Sequence, residues 1–418
     1  MRTVSPLIKR FMSDARGTTA IIFALCLMAI VGCLALSVDF ATWVKKRTDL
    51  ASAADFASLA GARALVDSLL GGNQDSPASV AEAVARRYII ENGGAAAVAN
   101  ITVSTDRPYG VRVALNEQGQ QHFSKAVSAK APDIDVVSYA VAKQASDACV
   151  LALDPTATPG IEFGLSGEVV ANGCSIWSNA DTQLSMDGRG SGTVSSDWNC
   201  AVGTANITRR LNVTPEARSN CLPVRDPLAD WTPPAAPLGC TASGLVLDKP
   251  GDYTLWPGTY CGGITIKGGA KVTFKSGTYF IDGGALLVEG GGSVYGQHVA
   301  FLLMNDAYVD LGGAAVVDLS APPSGDMAGL VFASGRDESR QESIMRGNTE
   351  FRVEGHVYLP THHLRFSGGS DGGFPASYTT IVAATIKFEG SSRMEFRNNG
   401  GSGPNYGARA FSHIFLTQ

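Results

Sequence analysis

Charge is scarce in this sequence: Asp, Glu, Lys and Arg make up 17% of its 418 residues, against about 25% in soluble domains. No basic block interrupts it and the formal net charge is −5, so it lacks the electrostatic footprint of a nucleic-acid binder. No Gly-Lys-Ser/Thr sequence follows a strand-like run, which excludes the usual phosphate loop and with it a nucleotide partner. The eight cysteines include no Cys-x-x-Cys pair, and so lack the common zinc spacing. Hydrophobic residues still reach 45%, which rules out disorder throughout. Glycine is in excess, with 48 residues, or about 11% against a usual ~7%. The length predicts two to four domains at ~100–200 residues each.

Gly17 to Val38 is uncharged, GTTAIIFALCLMAIVGCLALSV. Those 22 residues span about 33 Å as a helix, enough to cross a ~30 Å hydrocarbon core. The apolar run is longer than that of a cleavable signal peptide, and Val38 to Trp43 continues the helical pattern with no small-x-small break. We therefore expect an uncleaved anchor in the lipid bilayer. Arg2, Lys9, Arg10 and Arg16 against Asp14 favour a cytoplasmic N-terminus, whereas Lys45, Lys46 and Arg47 argue the other way. Six cysteines downstream of the anchor suit an oxidising compartment, so the bulk of the chain is expected outside the cytoplasm.

Leu50 to Leu70 continues as an Ala-rich helix in which Ala53, Ala57, Ala60, Gly61 and Ala64 line one face. Such a stripe lets another helix approach closely, either within the same domain or from another protein. Ser76-Pro77 opens a further helix, with Ser76 as N-cap, and Gly93-Gly94 closes it. Asn100–Ser104, Gly110–Leu115 and Ile134–Ala142 alternate as strands, with a turn at Asp106-Arg107-Pro108. His122–Ser128 reads as a short helix, and His122 stands alone, as a surface histidine rather than a ligand.

Several of these features occur together in an order that resembles a known family. Arg16-Gly17-Thr18-Thr19-Ala20-Ile21-Ile22-Phe23-Ala24-Leu25, the long apolar helix, Val38-Asp39, Asp49 to Asp55 and Leu59-Ala60-Gly61-Ala62 are similar to the N-terminus of TadG-like proteins. Those proteins belong to the bacterial tight-adherence (Tad, or Flp) pilus assembly systems. The resemblance covers about residues 14–65. It implies a single-pass inner-membrane protein that helps assemble or anchor a Flp-type pilus, with other pilus-assembly membrane proteins as partners. It brings no catalytic residue. A prepilin-type site would place Glu where Ile22 stands, which argues against processing at Gly17.

Composition shifts near residue 146: 39 of the 48 glycines follow it. Short β-type runs separated by Gly, Asn or Asp turns dominate from there. Pro257 to Tyr260 recurs at Ser276 to Tyr279. Gly268-Gly269 before Lys271-Val272-Thr273 is echoed by Gly291-Gly292 before Ser293-Val294-Tyr295, and Phe351 to Gly355 resembles Ile386 to Gly390. Periods near 20 fit a parallel β-solenoid (a right-handed β-helix), whose coils bury their apolar faces by stacking; a sandwich of hairpins is the alternative. Cys149–Cys174, Cys200–Cys221 and Cys240–Cys261 are each separated by about one coil, at 25, 21 and 21 residues. Adjacent coils lie within disulfide reach. The intervening gaps of 26 and 19 residues fit nearly as well, so the pairing stays open. Pro223, Pro227, Pro233, Pro234 and Pro237 mark an extended linker or surface strap. Gly355 to Pro360 and Leu364 to Gly369 are similar to the Gly-rich β-regions attached to some TadG-like N-termini.

Candidate chemistry is thin. Asp306, Asp310, Asp318, Asp326 and Glu350 could serve a carbohydrate-active site, although Asp beside Gly and Asn is ordinary turn chemistry. His356, His362 and His363 form the one histidine cluster, but neighbours in a strand point to opposite faces. Asp154-Pro155-Thr156-Ala157-Thr158 has the spacing of a metal-adhesion motif without the alternating strands and helices that fold needs.

The expected organisation is a membrane-anchored α+β protein: a cytoplasmic head (1–16), a transmembrane helix (17–39), a helical stalk with a small α+β module (40–147), a disulfide-bearing β region (148–222), a Pro-rich linker (223–239) and a Gly-rich β-solenoid region (240–418). We expect a non-catalytic structural component of a pilus, with no cofactor and no metal. A surface adhesin or minor pilin, and a membrane-tethered carbohydrate-active enzyme, are the alternatives.

Overall fold

A computed structural model describes residues 17–71, 76–127, 130–312, 316–347, 351–368, 373–375, 380–397 and 406–417. The chain divides into two units, residues 1–142 with 414–418, and residues 143–413.

The first unit is built on a single helix, α1 (Gly17–Gly71), and a second, α2 (Pro77–Glu91). Proline at the first position suits α2, since its missing N–H would have had no helical partner. Ser76 caps through its backbone carbonyl, which accepts from Val80 N–H, and not through its hydroxyl. Strands β1 (Val98–Ser104), β2 (Tyr109–Gln118) and β3 (Asp133–Gln144) form an antiparallel sheet, and Phe411–Thr417 adds the fourth strand beside β3. Alternation puts Val111, Val113 and Leu115 of β2 and Ile134, Val136 and Ala140 of β3 on the buried face. His122–Ser128 contains a single 3₁₀ turn, Ser124–Val127.

Small side chains decide how α1 packs. Ala53, Ala57 and Gly61 are buried with Ala81 and Ala85 of α2 and Val111 of β2. A Cβ added at Gly61 would lie 3.0 Å from Ala85 Cβ and 3.1 Å from both Ala81 O and Val111 Cγ1. The end of the apolar run is fixed differently. The Asp39 carboxylate, fully buried, accepts the backbone N–H groups of His122, Phe123 and Ser124 at 2.6–3.3 Å. Trp43 donates its indole N–H to Gln120 O at 2.7 Å.

The second unit is a parallel β-solenoid of about ten turns. Each complete coil has up to three short strands, as in Val299–Met304, Tyr308–Leu311 and Val316–Ser320. Inward residues stack in register: Leu286 on Ile264 and under Val309, Val294 on Val272 and under Val317. Aromatic rings form ladders in the core. Tyr260, Tyr279, Phe301 and Phe332 follow one another at 5.9, 5.4 and 5.4 Å between centroids. The echo of Lys271-Val272-Thr273 in Ser293-Val294-Tyr295 is the true register. Phe351 and Ile386, by contrast, lie on different faces, the first over Val317 and the second over Leu364. One corner needs left-handed backbone in three successive coils: Gly262-Gly263, Gly283-Gly284 and then Asn305-Asp306 all have positive φ. At Gly263 a Cβ would also meet Ala285 O at 2.3 Å, so neighbouring coils touch there backbone to backbone.

The order of coils along the stack is not the order of the chain. Residues 148–172 pair with 174–196, and these with 198–214, which ends one run. The second run starts at the far end with 242–255 and passes through 258–274, 277–296, 299–320, 330–354 and 356–375 to 381–397. Coil 381–397 then stacks on 148–172, with Ile381 opposite Val150, Phe388 opposite Phe163 and Met394 opposite Val169. The solenoid therefore begins in its own middle. Of the two readings of the Pro-rich segment, linker or surface strap, the structure has the strap: it carries the chain from one end of the single solenoid to the other.

That strap is held along its length. Val224 N–H donates to Asn179 Oδ1, and Asn179 Nδ2 donates back to Val224 O, at 2.9 and 2.6 Å. Asp226 accepts from the Tyr358 hydroxyl at 2.9 Å and from the Arg336 guanidinium. Burial, with the Asp226 carboxylate beside it, raises the pKa of that hydroxyl. Trp231 donates to Asp326 O at 3.1 Å and meets Tyr358 edge-on at 5.8 Å. Disulfides close both ends, Cys200–Cys221 at one and Cys240–Cys261 at the other, while Cys149–Cys174 joins the first two coils in sequence.

The Gly61 contacts generate a direct test. Replacing Gly61 with Leu should destabilise the first unit by about 1–3 kcal/mol through overpacking, read as an earlier thermal transition and faster proteolysis between α1 and β2, with the solenoid transition unmoved.

Candidate functional surfaces

The N-terminal half of α1 is apolar and uncovered. Ile21, Phe23, Leu25, Met28 and Leu34 are all more than 60% exposed, a pattern that in water would be a large apolar liability. The helix is long and apolar enough to cross a membrane, with a mean hydropathy of 2.8 over its best window. Cys26 and Cys33 are free thiols on this exposed stretch. The small-residue stripe is not a free surface: Ala53, Ala57 and Gly61 are spent on α2 and β2, and Ala60 and Ala64 are half-buried.

The candidate carboxylates do not converge. Asp306 sits at the left-handed corner, φ 64°, where its carboxylate accepts from Ser339. Asp310 faces outward from the next strand and is paired with Arg346. Asp318 lies on another face of the coil, opposite Tyr295 and Arg352. The backbone carbonyl of Asp326 receives the strap's Trp231. Glu350 lies outside the described residues.

The three histidines point in separate directions. His356 is buried, with Nδ1 accepting Thr380 N–H at 3.1 Å and its ring edge-on to Tyr406. His363 faces out and shares a 2.6 Å hydrogen bond with Thr385. His362 is wholly buried. Ser343 Oγ accepts Val309 N–H at 3.2 Å and sits 2.9 Å from His362 Nδ1. Among the described residues Nε2 has no hydrogen-bond partner. Burial, reinforced by His363, lowers the pKa of His362 from 6.5 to about 4. Among the described residues no group of three His, Cys, Asp or Glu side chains comes together.

The Asp154-x-Thr-x-Thr segment is a local turn. Asp154 Oδ1 accepts Thr156 N–H and Oγ1 at 2.8 and 2.7 Å, and Oδ2 lies 2.6 Å from Arg340. Burial would raise this carboxyl, but the Thr156 donors and Arg340 outweigh it and hold it below the usual range. It borders an open trough of about 410 Å³. The trough floor is a ladder of outward charges one coil apart: Arg365 opposite Lys387, and Lys387 opposite Glu162. Glu342 and Glu389 flank Arg365 at 3.5 and 3.6 Å, and Glu162 lies 3.6 Å from Lys387. The sequence reading did not find this ladder. Its signal is the spacing of 22 residues from Arg365 to Lys387, matching the buried pair Phe366 and Phe388 beside them.

Comparison with known proteins places one segment. Residues 17–64 match the family model described as Flp pilus-assembly TadE/G-like. This stretch, the exposed apolar helix together with the start of its packed half, is similar to a TadE/G-like domain, in agreement with the TadG-like resemblance of the same residues. The solenoid lies outside the match. No curated protein and no solved structure matches the chain.

His362 makes stability depend on pH with a definite sign. Its folded pKa is below its unfolded one, so the neutral form is favoured by folding. Its contribution is complete above pH 6.5 and is lost as pH falls toward 4. At about 1.4 kcal/mol per unit, roughly 2–4 kcal/mol is at stake. The solenoid melting temperature should fall across that window, and His362→Gln should flatten the dependence; an unchanged slope would contradict the assignment.

Proposed function

We propose that this chain is a non-catalytic structural or assembly component of a Tad/Flp-type pilus. In this reading residues 17–39 anchor it in the bacterial inner membrane with the N-terminus cytoplasmic, and the solenoid stands outside the cytoplasm. The observation that carries the proposal is the coincidence of the TadE/G-like match with the helix whose apolar residues are exposed. Two further features support it. Three disulfides suit an oxidising compartment, and the charged groups of the trough are engaged with one another, as in a surface built for rigidity. Asp39 then marks the point where the spanning helix meets its own domain, so the anchor and the first unit behave as one rigid element. Other pilus-assembly membrane proteins would meet the lipid-exposed face of α1, since the small-residue stripe is already used.

The test is a tagged full-length chain followed through sheared pili, outer membrane and inner membrane, alongside a deletion strain scored for surface pili. Retention in the inner membrane with Met1 in place, and loss of pili on deletion, is the expected result. Recovery in sheared pili with a shortened N-terminus would replace this reading with that of a minor pilin.

A further inference from the structure

We propose that the solenoid is built to continue beyond one chain: its end coil, 242–255, receives the opposite end coil, 198–214, of a second copy. The first argument is the open edge. Among the described residues, Ala242–Leu247 and Gly251–Leu255 pair on one side only, with the coil 258–274. In that coil Ile264, Ile266, Val272 and Phe274 are buried to 2% exposure or less. Their register partners Leu245, Leu247, Tyr253 and Leu255 belong to the same core but are only partly covered. A parallel strand edge backed by half-covered core residues is a template for another strand. The disulfide Cys240–Cys261 ties this end coil to its neighbour, with Cα atoms 5.7 Å apart, which keeps the edge in coil form.

The second argument is polarity. Both runs of coils advance along the stack in the same direction, so the coil missing before 242–255 is one that presents the outer edge carried by 198–214. There the strands Ala205–Ile207 and Asn212–Thr214 pair only inward, with 186–188 and 193–195, and on the outer side Ser219 Oγ accepts the Ala205 N–H at 3.0 Å, leaving Asn206, Ile207 and 212–214 without an outer strand among the described residues. On the third side Arg218 already bridges to Cys200, so the segment around Arg218 is what the partner's Ala242 and Ser243 would meet. The chain itself contains the precedent. Coil 381–397 and coil 148–172 are not consecutive in sequence, yet they stack in register with Phe388 and Phe163 parallel at 5.5 Å.

The third argument is charge. Tracing the register coil by coil, the corner after 205–207 is equivalent to the corner after 245–247. The first holds exposed Arg209 and Arg210; the second holds exposed Asp248 and Lys249, and exposed Asp252 follows at the start of the strand Gly251–Leu255, opposite Lys271. Among the described residues none of Arg209, Arg210, Asp248 and Asp252 has an ion-pair partner. Head-to-tail stacking brings the arginines of one copy onto the aspartates of the next. Such a contact is heterologous and does not close, so its product is a linear stack.

The experiment uses the full chain in detergent micelles at low salt, followed by sedimentation velocity. Wild type should gain mass with concentration, about twofold or more across the accessible range. The double variants Asp248→Arg with Asp252→Arg, and Arg209→Asp with Arg210→Asp, should each remain single copies. Mixed together they should associate again, because each supplies the charge the other needs, and this recovery also shows that both are folded. A single-copy wild type at every concentration overturns the proposal. So does association that persists unchanged in both variants, which would locate the contact in the spanning helix or elsewhere.

Discussion

The contact of coil 381–397 with coil 148–172 is the one on which the larger unit depends. In an ordinary solenoid each coil is covalently followed by the one that covers it, and stacking propagates along the chain. Here the chain lays down three coils, leaves, and must return to cover the face it first exposed. No peptide bond links the two coils directly; backbone pairing, side-chain packing and the outward ion pairs Lys387–Glu162 and Arg393–Glu168 make that joint. Leu153 N–H donates to Ala383 O at 2.8 Å and Ile386 N–H to Gly160 O at 2.9 Å. The ring ladder Phe366, Phe388, Phe163 passes through it at an even 5.5 Å spacing. Since the inner face of either coil is apolar, separation would expose Ile161, Phe163, Val169, Ile386, Phe388 and Met394 together, all now buried to 1% or less.

The strap follows from this arrangement. A chain that finishes one run at 198–214 and resumes at 242 has to travel the length of the stack, and prolines keep such a segment extended. Proline alone would leave it loose. The Asn179–Val224 pair, the Asp226 knot with Arg336 and Tyr358, and the disulfide at each end fix it at successive coils. Because Arg336 and Tyr358 come from the second run and Asn179 from the first, the strap touches both sides of the joint. It acts as a splint across the one place where coils are not covalently consecutive.

Much of this was legible in the residues, for reasons that can be named. The apolar run from Gly17 to Val38 reads as a helix because its length and lack of charge leave few alternatives. Glycine pairs at one-coil spacing betray a corner that requires positive φ; cysteine spacing leaves the pairing open, and the structure joins Cys149 to Cys174, Cys200 to Cys221 and Cys240 to Cys261. The order of coils was not legible. Ile381 to Ala383 and Val150 to Ala152 are short apolar strands like many others, and nothing local says which edge covers which. The same holds for Phe411–Thr417, whose alternation does not announce that it completes a sheet begun at Val98. The stripe at Ala53, Ala57 and Gly61 packs on α2 and β2, a choice helical periodicity cannot make, since it does not distinguish a partner within the domain from one outside it. Asp306 looked like a candidate acid because its role as a left-handed corner appears only when Gly262-Gly263 and Gly283-Gly284 are stacked above it.

The larger unit is a solenoid of about ten turns whose inward residues stack in register from coil to coil. Hydrogen exchange on the full chain tests whether the two runs of coils form one continuous stack. If the joint is as described, amides of 381–390 and 148–153 should exchange as slowly as those of 299–304 in the interior of the second run. Fast exchange at 381–390 and 148–153, with slow exchange inside each run, would mean two separate blocks and would contradict the account.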